Sequence, residues 1–177
     1  QAKCNWNIQP YAMEAIRWTR GVISPEHRAW LENLPFRLEL ANLVFVHASL
    51  QAMDGRSWPY ILNPQIAMFH FYMQNSRFCF YGHTHLPLQF TYNHGQISFE
   101  FLSNRQFPQS DDCKYLLNPG SVGQPRDFDH RAAALIFDDE TFELELLRVE
   151  YDVAAAQQRI RLAGLPEMLA ERLSKGR

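Results

Sequence analysis

The chain is short of cysteine, lysine and long apolar runs, and each shortage narrows what it can be. Its 177 residues hold three cysteines, Cys4, Cys79 and Cys113. They are odd in number, far apart and in no Cys-x-x-Cys arrangement, which argues against a secreted disulfide framework and for a reducing, cytoplasmic compartment. No stretch of about 18 apolar residues exists, and the opening Gln1-Ala2-Lys3-Cys4-Asn5 has no apolar signal core, so no membrane span or leader is expected. Lysine occurs only at Lys3, Lys114 and Lys175, within 17 Lys+Arg set against 19 Asp+Glu and a net charge of -2. Charge this balanced argues against a nucleic acid or an anionic membrane as partner. An arginine-heavy set suits bidentate contacts to carboxylate or phosphate at discrete points. Repeats, low-complexity blocks and Ser/Gly linkers are also absent, so residues 1–177 read as one domain. A domain of this length buries about 70% of its unfolded surface, and 46% apolar and 14% aromatic residues supply the core. The sequence starts at Gln1 without an initiator methionine and runs almost at once into a helical pattern, from which an upstream N-terminus is expected.

What is present begins with two helices. Tyr11, Ala15 and Trp18 form a stripe with Ala12 and Ile16 beside it, ending near Gly21, and Ser24-Pro25 opens a second helix through Trp30, Leu31 and Leu34. The period then changes. Leu38-Glu39-Leu40 alternates, and Leu43-Val44-Phe45-Val46 suits a central strand that ends at His47. A third helix follows Asn63-Pro64, and Phe78-Cys79-Phe80-Tyr81 is a second buried strand that also leads to histidine. Short strands turn at Asn93-His94-Gly95 and at Asp138 to Thr141. The last strand, Phe142 to Val149, slips its alternation at Leu146-Leu147, which predicts a bulge. Two amphipathic helices close the chain, the second after Gly164. Helices, mixed short strands and helices again make an α/β sandwich, with catalytic groups expected where strands give way to loops.

Two segments carry chemistry. In Gly82-His83-Thr84-His85, residues two apart in an extended segment face the same side, so both histidines can point into one cavity with His47. Neutral imidazole is the commonest side-chain ligand of transition metals, so three such nitrogens make a metal site; Gly82 lets the backbone turn. A bare His-x-His pair is also compatible with ordinary packing, and that bland reading is kept for His27, His70, His94 and His130. The second segment is Asn118-Pro119-Gly120-Ser121-Val122-Gly123-Gln124-Pro125-Arg126-Asp127. Its glycines and serine could expose backbone N–H groups in an anion-binding concavity, with Arg126 gripping a phosphate through two donors. A tight loop between strands is the plainer reading.

Val46-His47-Ala48-Ser49, Gly82-His83-Thr84-His85 and the Asn118 to Asp127 stretch, in this order, resemble the calcineurin-like metallophosphoesterases, in particular their small bacterial and archaeal phosphodiesterase branch. Ala15 to Arg20, Ser24-Pro25 and Trp30-Leu31 resemble the helical segment after that family's Gly-Asn-His-Asp motif. The resemblance implies a four-layer α/β/β/α sandwich and two divalent cations, manganese, iron or zinc, that activate water to hydrolyse a phosphate ester. It also implies that His47 and His83 ligate one metal and His85 the other. Asn118, Gly120, Ser121 and Arg126 would border the substrate.

The family's Asp-any-His, Gly-Asp and Gly-Asn-His-Asp motifs do not occur. Three histidines without a bridging carboxylate cannot hold two cations close together, because nothing offsets their repulsion. The 177 residues alone are therefore expected to bind metal weakly or singly, to contain no complete catalytic set and to lack appreciable esterase activity, as a truncated portion of an intact enzyme. Two alternatives stand beside this: a non-catalytic binding or scaffold module on the same fold, and an unrelated protein with a mononuclear histidine site. Specificity is expected in the loops Gln51 to Tyr60, with Arg56 and Trp58, and Ser103 to Asp112.

Overall fold

The computed structural model describes residues 9–50, 58–109 and 112–177; Cys4 and Arg56 lie outside them. The helices begin where the capping chemistry places them. Helix α1 (Pro10–Val22) and helix α2 (Pro25–Glu32) are joined by a short link, and Ser24 Oγ accepts from the His27 N–H at 3.2 Å at the start of α2. Strands β1 (Arg37–Leu40) and β2 (Leu43–Val46) form an antiparallel pair. Helix α3 (Pro64–Met73) opens with Asn63 Oδ1 accepting from the Ile66 N–H at 2.9 Å. Such a cap satisfies a donor that the helix cannot, and proline at the first position loses nothing by lacking one.

Strands β3 (Phe78–Phe80), β4 (Pro87–Asn93), β5 (Gln96–Phe101), β6 (Arg105–Gln106), β7 (Lys114–Pro119), β8 (Ala132–Phe137) and β9 (Glu143–Val149) follow, then helices α4 (Val153–Leu162) and α5 (Glu167–Lys175). Six strands make one mixed sheet in the order β1-β2-β3-β7-β4-β5, and three make an antiparallel sheet in the order β6-β9-β8. The parallel ladders β2–β3 and β3–β7 lie at the centre of the larger sheet. β3 and β7 are buried on both faces over most of their length and β2 is half-buried, which is why they read as continuous apolar runs.

Alternation along those strands divides the core in two. Cys79 and Leu116 face the side of α3, packed with Val44, Ala67, Phe71 and Phe90. Phe78, Tyr115 and Leu117 face the smaller sheet, meeting Leu102, Phe107 and Leu144. Helix, sheet and sheet thus stack as layers, and α4 packs on α5, with Gln157 Nε2 donating to the Ala170 carbonyl at 2.9 Å. This is the expected α/β class. Among the described residues no helix is long and apolar enough to cross a membrane.

The expected bulge is not there. β9 pairs with β8 without a skipped residue, Leu135 opposite Leu146 and Ala134 opposite Leu147. Leu146 packs with the inter-sheet core while Leu147, one residue on, takes the other face. The lapse in alternation is an apolar side chain on the outward face, not a change of register.

Candidate functional site

Strand ends deliver the three histidines to one place. β2 ends beside His47 and β3 leads through Tyr81 to Gly82, whose N–H donates to the His47 carbonyl at 2.8 Å. A Cβ on residue 82 would stand 3.2 Å from that oxygen, so glycine allows the close approach. The sharp turning falls on the histidines instead. His83 has φ +67° and His85 φ +62°, left-handed conformations that cost a non-glycine residue on the order of 1–2 kcal/mol each and that cluster at functional sites. The segment is a bend, not the extended stretch that periodicity predicted, although His47 acts electrostatically on both rings.

The bend is held from below by Asn118, which is fully buried. Its Nδ2 donates to the Gly82 carbonyl and to Thr84 Oγ1, each at 2.9 Å, and its Oδ1 accepts from the Gly120 N–H at 2.9 Å. Asn118 thus sits beneath the histidines with its amide committed to the chain. Gly120 has φ +87°, and a Cβ there would meet the Ala133 side chain at 3.0 Å. Ser121 Oγ accepts from the Gln124 N–H at 3.0 Å and its carbonyl accepts from Ala133 at 2.9 Å. Arg126 donates its backbone N–H to the His85 carbonyl at 3.2 Å. Its side-chain Nε is buried with no hydrogen-bond partner among the described residues.

The rings of His47 and His83 lie 5.3 Å apart. Tyr60 stacks on His83 at 4.2 Å and 18°, and Trp58 meets His47 edge-on at 5.5 Å. His85 Nδ1 lies 2.7 Å from the Gln124 carbonyl. All three imidazoles have their pKa lowered. Burial does so for His47; burial, then the neighbouring His47, for His83; burial, then the Arg126 guanidinium, for His85. They are neutral near pH 7 and able to donate lone pairs. Among the described residues no carboxylate acts on these rings; the charges that reach them come from Arg126, from one another and, at His85, from Arg172.

Of the residues that sequence reasoning singles out, His47 and His83 lie ring to ring, and His47, His85 and Arg126 all act electrostatically on His83. Tyr60, Gln124 and Arg172 it did not single out: no spacing marks a tyrosine that stacks on a histidine, and Gln124 acts through its backbone. Gln124 does lie within the stretch that drew attention, which was the one signal available.

No family model matches the sequence. An uncharacterized protein of Methanocaldococcus jannaschii is 36% identical over 171 residues, 94% of this chain and 67% of that protein. A metallophosphoesterase of Sphaerobacter thermophilus has a TM-score of 0.83 at 36% identity, covering 96% of this chain and 69% of that one. A hypothetical protein of Pyrococcus horikoshii shares the fold at a TM-score of 0.69 and 20% identity, over 97% of this chain and 62% of its own. The chain belongs to the metallophosphoesterase family, and its α/β architecture is that family's fold. It spans about two thirds of the length of these relatives.

The family implies divalent metal ions. Neutral imidazoles suit them, but among the described residues no three His, Cys, Asp or Glu side chains form a metal-holding group. With positive charge alone reaching the rings from the described residues, the three histidines by themselves do not fit a pair of divalent ions: nothing among them would bridge two cations or offset their repulsion.

Proposed function

We propose that this chain supplies the histidine side of a phosphoester-hydrolysing centre, with His47 and His83 directed at one cation and His85 at the other. The observation that carries the proposal is the convergence of three neutral imidazoles at strand ends beside a buried Arg126 donor that has no partner among the described residues. Such a cluster, with positive charge and no carboxylate reaching it from the described residues, favours a phosphate ester. Arg126 grips phosphoryl oxygens through its fork of donors, and the Gly120-Ser121 turn borders them. The acidic ligands of a complete centre with manganese, iron or zinc come from residues outside these 177, in a cytoplasmic enzyme whose substrate is a phosphodiester.

The test is metal content by elemental analysis, together with hydrolysis of a chromogenic phosphodiester. Both are measured on the 177-residue chain and on the same chain extended upstream in its reading frame. Two equivalents of metal and turnover are expected in the longer protein, and at most one equivalent with no appreciable turnover in the shorter. Turnover by the shorter chain at the rate of an intact relative would overturn the split centre. A longer protein that neither binds metal nor hydrolyses would make the fold a binding module.

A further inference from the structure

Helix α5 ends at Gly176 with φ +60°, an ordinary conformation for the residue after a helix. Its surroundings are not ordinary. A Cβ at this position would stand 2.7 Å from Asp129 N, 2.7 Å from Phe128 C and 2.9 Å from Asp129 C. These are backbone atoms of another segment, which cannot rotate aside, so any side chain would push the two segments apart. Their approach lets the Gly176 carbonyl accept from the Phe128 N–H at 2.9 Å.

One residue further, the Arg177 carbonyl accepts from Gln124 Nε2 at 3.0 Å and from Arg172 Nε at 3.0 Å, while the Arg177 guanidinium lies 4.9 Å over the Phe128 ring. The end of α5 therefore grips the Gln124 to Phe128 segment at both of its ends, with Pro125 buried between them. That segment in turn holds His85 twice. The Gln124 carbonyl faces His85 Nδ1 at 2.7 Å, and the Arg126 N–H donates to the His85 carbonyl at 3.2 Å. A carbonyl can only accept, so Nδ1 carries the proton and the neutral ring presents the lone pair of Nε2.

We infer that Gly176 and Arg177 are positioning residues for His85: by gripping the Gln124 to Phe128 segment from α5, they fix which ring nitrogen His85 presents to the site. The inference rests on the reading of His85 as a metal ligand. A carbonyl behind a ligating imidazole orients it and sets its tautomer. Here that carbonyl is itself held in place by a helix terminus distant in sequence.

The test compares Gly176→Ala with Gly164→Ala in the full 177-residue chain. Gly164 has a similar left-handed backbone, φ +69°, but nothing lies within 4 Å of an added Cβ, so it controls for strain without the clash. Long-range ¹H–¹⁵N NMR above the ring's titration range reads the His85 tautomer without metal, and calorimetric titration with Zn²⁺ reads affinity. The starting protein and Gly164→Ala should show one Nδ1-protonated His85. Gly176→Ala should show a mixed tautomer and about 10-fold weaker Zn²⁺ binding. An unchanged His85 spectrum in folded Gly176→Ala overturns the inference. If Zn²⁺ binds none of the three proteins while the tautomer shifts in Gly176→Ala alone, the metal reading fails and the positioning role stands. Should Gly176→Ala not fold, Gln124→Ala decides on the same tautomer readout, since it keeps the carbonyl and loses only the bond to Arg177. A mixed signature there supports the inference and an unaltered one overturns it.

Discussion

His70 is a fully buried histidine outside the cavity, and its ring sets a pH dependence of its own. Its Nδ1 accepts from the Leu50 N–H at 3.2 Å, so the neutral ring carries its proton on Nε2. A second proton would remove that acceptor and leave a charge in the core, and burial pushes the pKa down to about 4 from 6.5. Above pH 6.5 the ring is neutral in folded and unfolded chains alike, and the stabilising contribution is fully present. As pH falls from 6.5 toward 4 the unfolded chain binds a proton that the folded chain refuses, so stability is lost across that window, by about 3 kcal/mol in all. In His70→Gln, whose amide oxygen can still accept from Leu50, this loss should vanish. Urea unfolding of both proteins at about pH 7.5 and about pH 5 checks it: the advantage of the starting protein over the variant should shrink on acidification. A constant difference would refute the assignment. His47, His83 and His85, also lowered, leave a residual slope common to both proteins. At this scale the sequence was legible in residue type but not in conformation. Gly82-His83-Thr84-His85 marked the site, yet the left-handed φ of two histidines depends on Asn118 holding Gly82 and Thr84 from a strand far along the chain. Local pattern carries no trace of such a support.

Among the elements, β3 has only three residues yet joins the two halves of the core. Phe78 is 0% exposed, and the rings of Phe107, Tyr115, Phe137 and Phe142 lie 4.8–5.7 Å from it, drawn from β7, β8 and the segments flanking β6 and β9. Removing its ring opens a cavity walled by four aromatic groups that cannot all collapse inward. Phe78→Ala should therefore cost about 3–5 kcal/mol in denaturant unfolding, whereas Phe99→Ala on β5, where the side chain is 55% exposed, should cost below about 1 kcal/mol. Comparable losses at the two sites would contradict the division of the core. The starts of α2 and α3 were legible because Ser24-Pro25 and Asn63-Pro64 state their chemistry locally. Sheet order was not. The insertion of β7 between β3 and β4 pairs Leu116 with Cys79 on one side and with Phe90 on the other, and no local period encodes pairing across such separations. The supposed bulge in β9 shows the converse error, a half-buried leucine on the face away from the inter-sheet core read as geometry.

For the whole molecule, one group of the apolar side chains that stay in water is concentrated along the chain. Trp30, Leu31, Leu34, Phe36, Leu38 and Leu40 follow one another along the chain from α2 into β1, and all are exposed. Among the described residues β1 is also an edge of the six-stranded sheet, pairing only with β2, and β5 at the opposite edge exposes Phe99 and Phe101. An edge strand offers unpaired N–H and C=O groups, and proteins ordinarily blunt such edges with charge, proline or a bulge. In β1 the charged Arg37 and Glu39 pair with each other at 2.6 Å, which weakens them as a deterrent. A net charge of -2 adds little repulsion between molecules. Edge pairing and burial of the exposed leucines then act in the same direction, so the 177-residue chain should self-associate. In sedimentation velocity its weight-average mass should rise with concentration. Leu38→Lys with Leu40→Lys, which charges one face of β1 and leaves its ladder to β2 intact, should return it toward the monomer. A monomer at every concentration would mean that the exposed stretch from Trp30 to Leu40 is screened in solution. A double variant that associates as strongly as the parent would place the contact elsewhere, with the Phe99–Phe101 edge of β5 the next to charge.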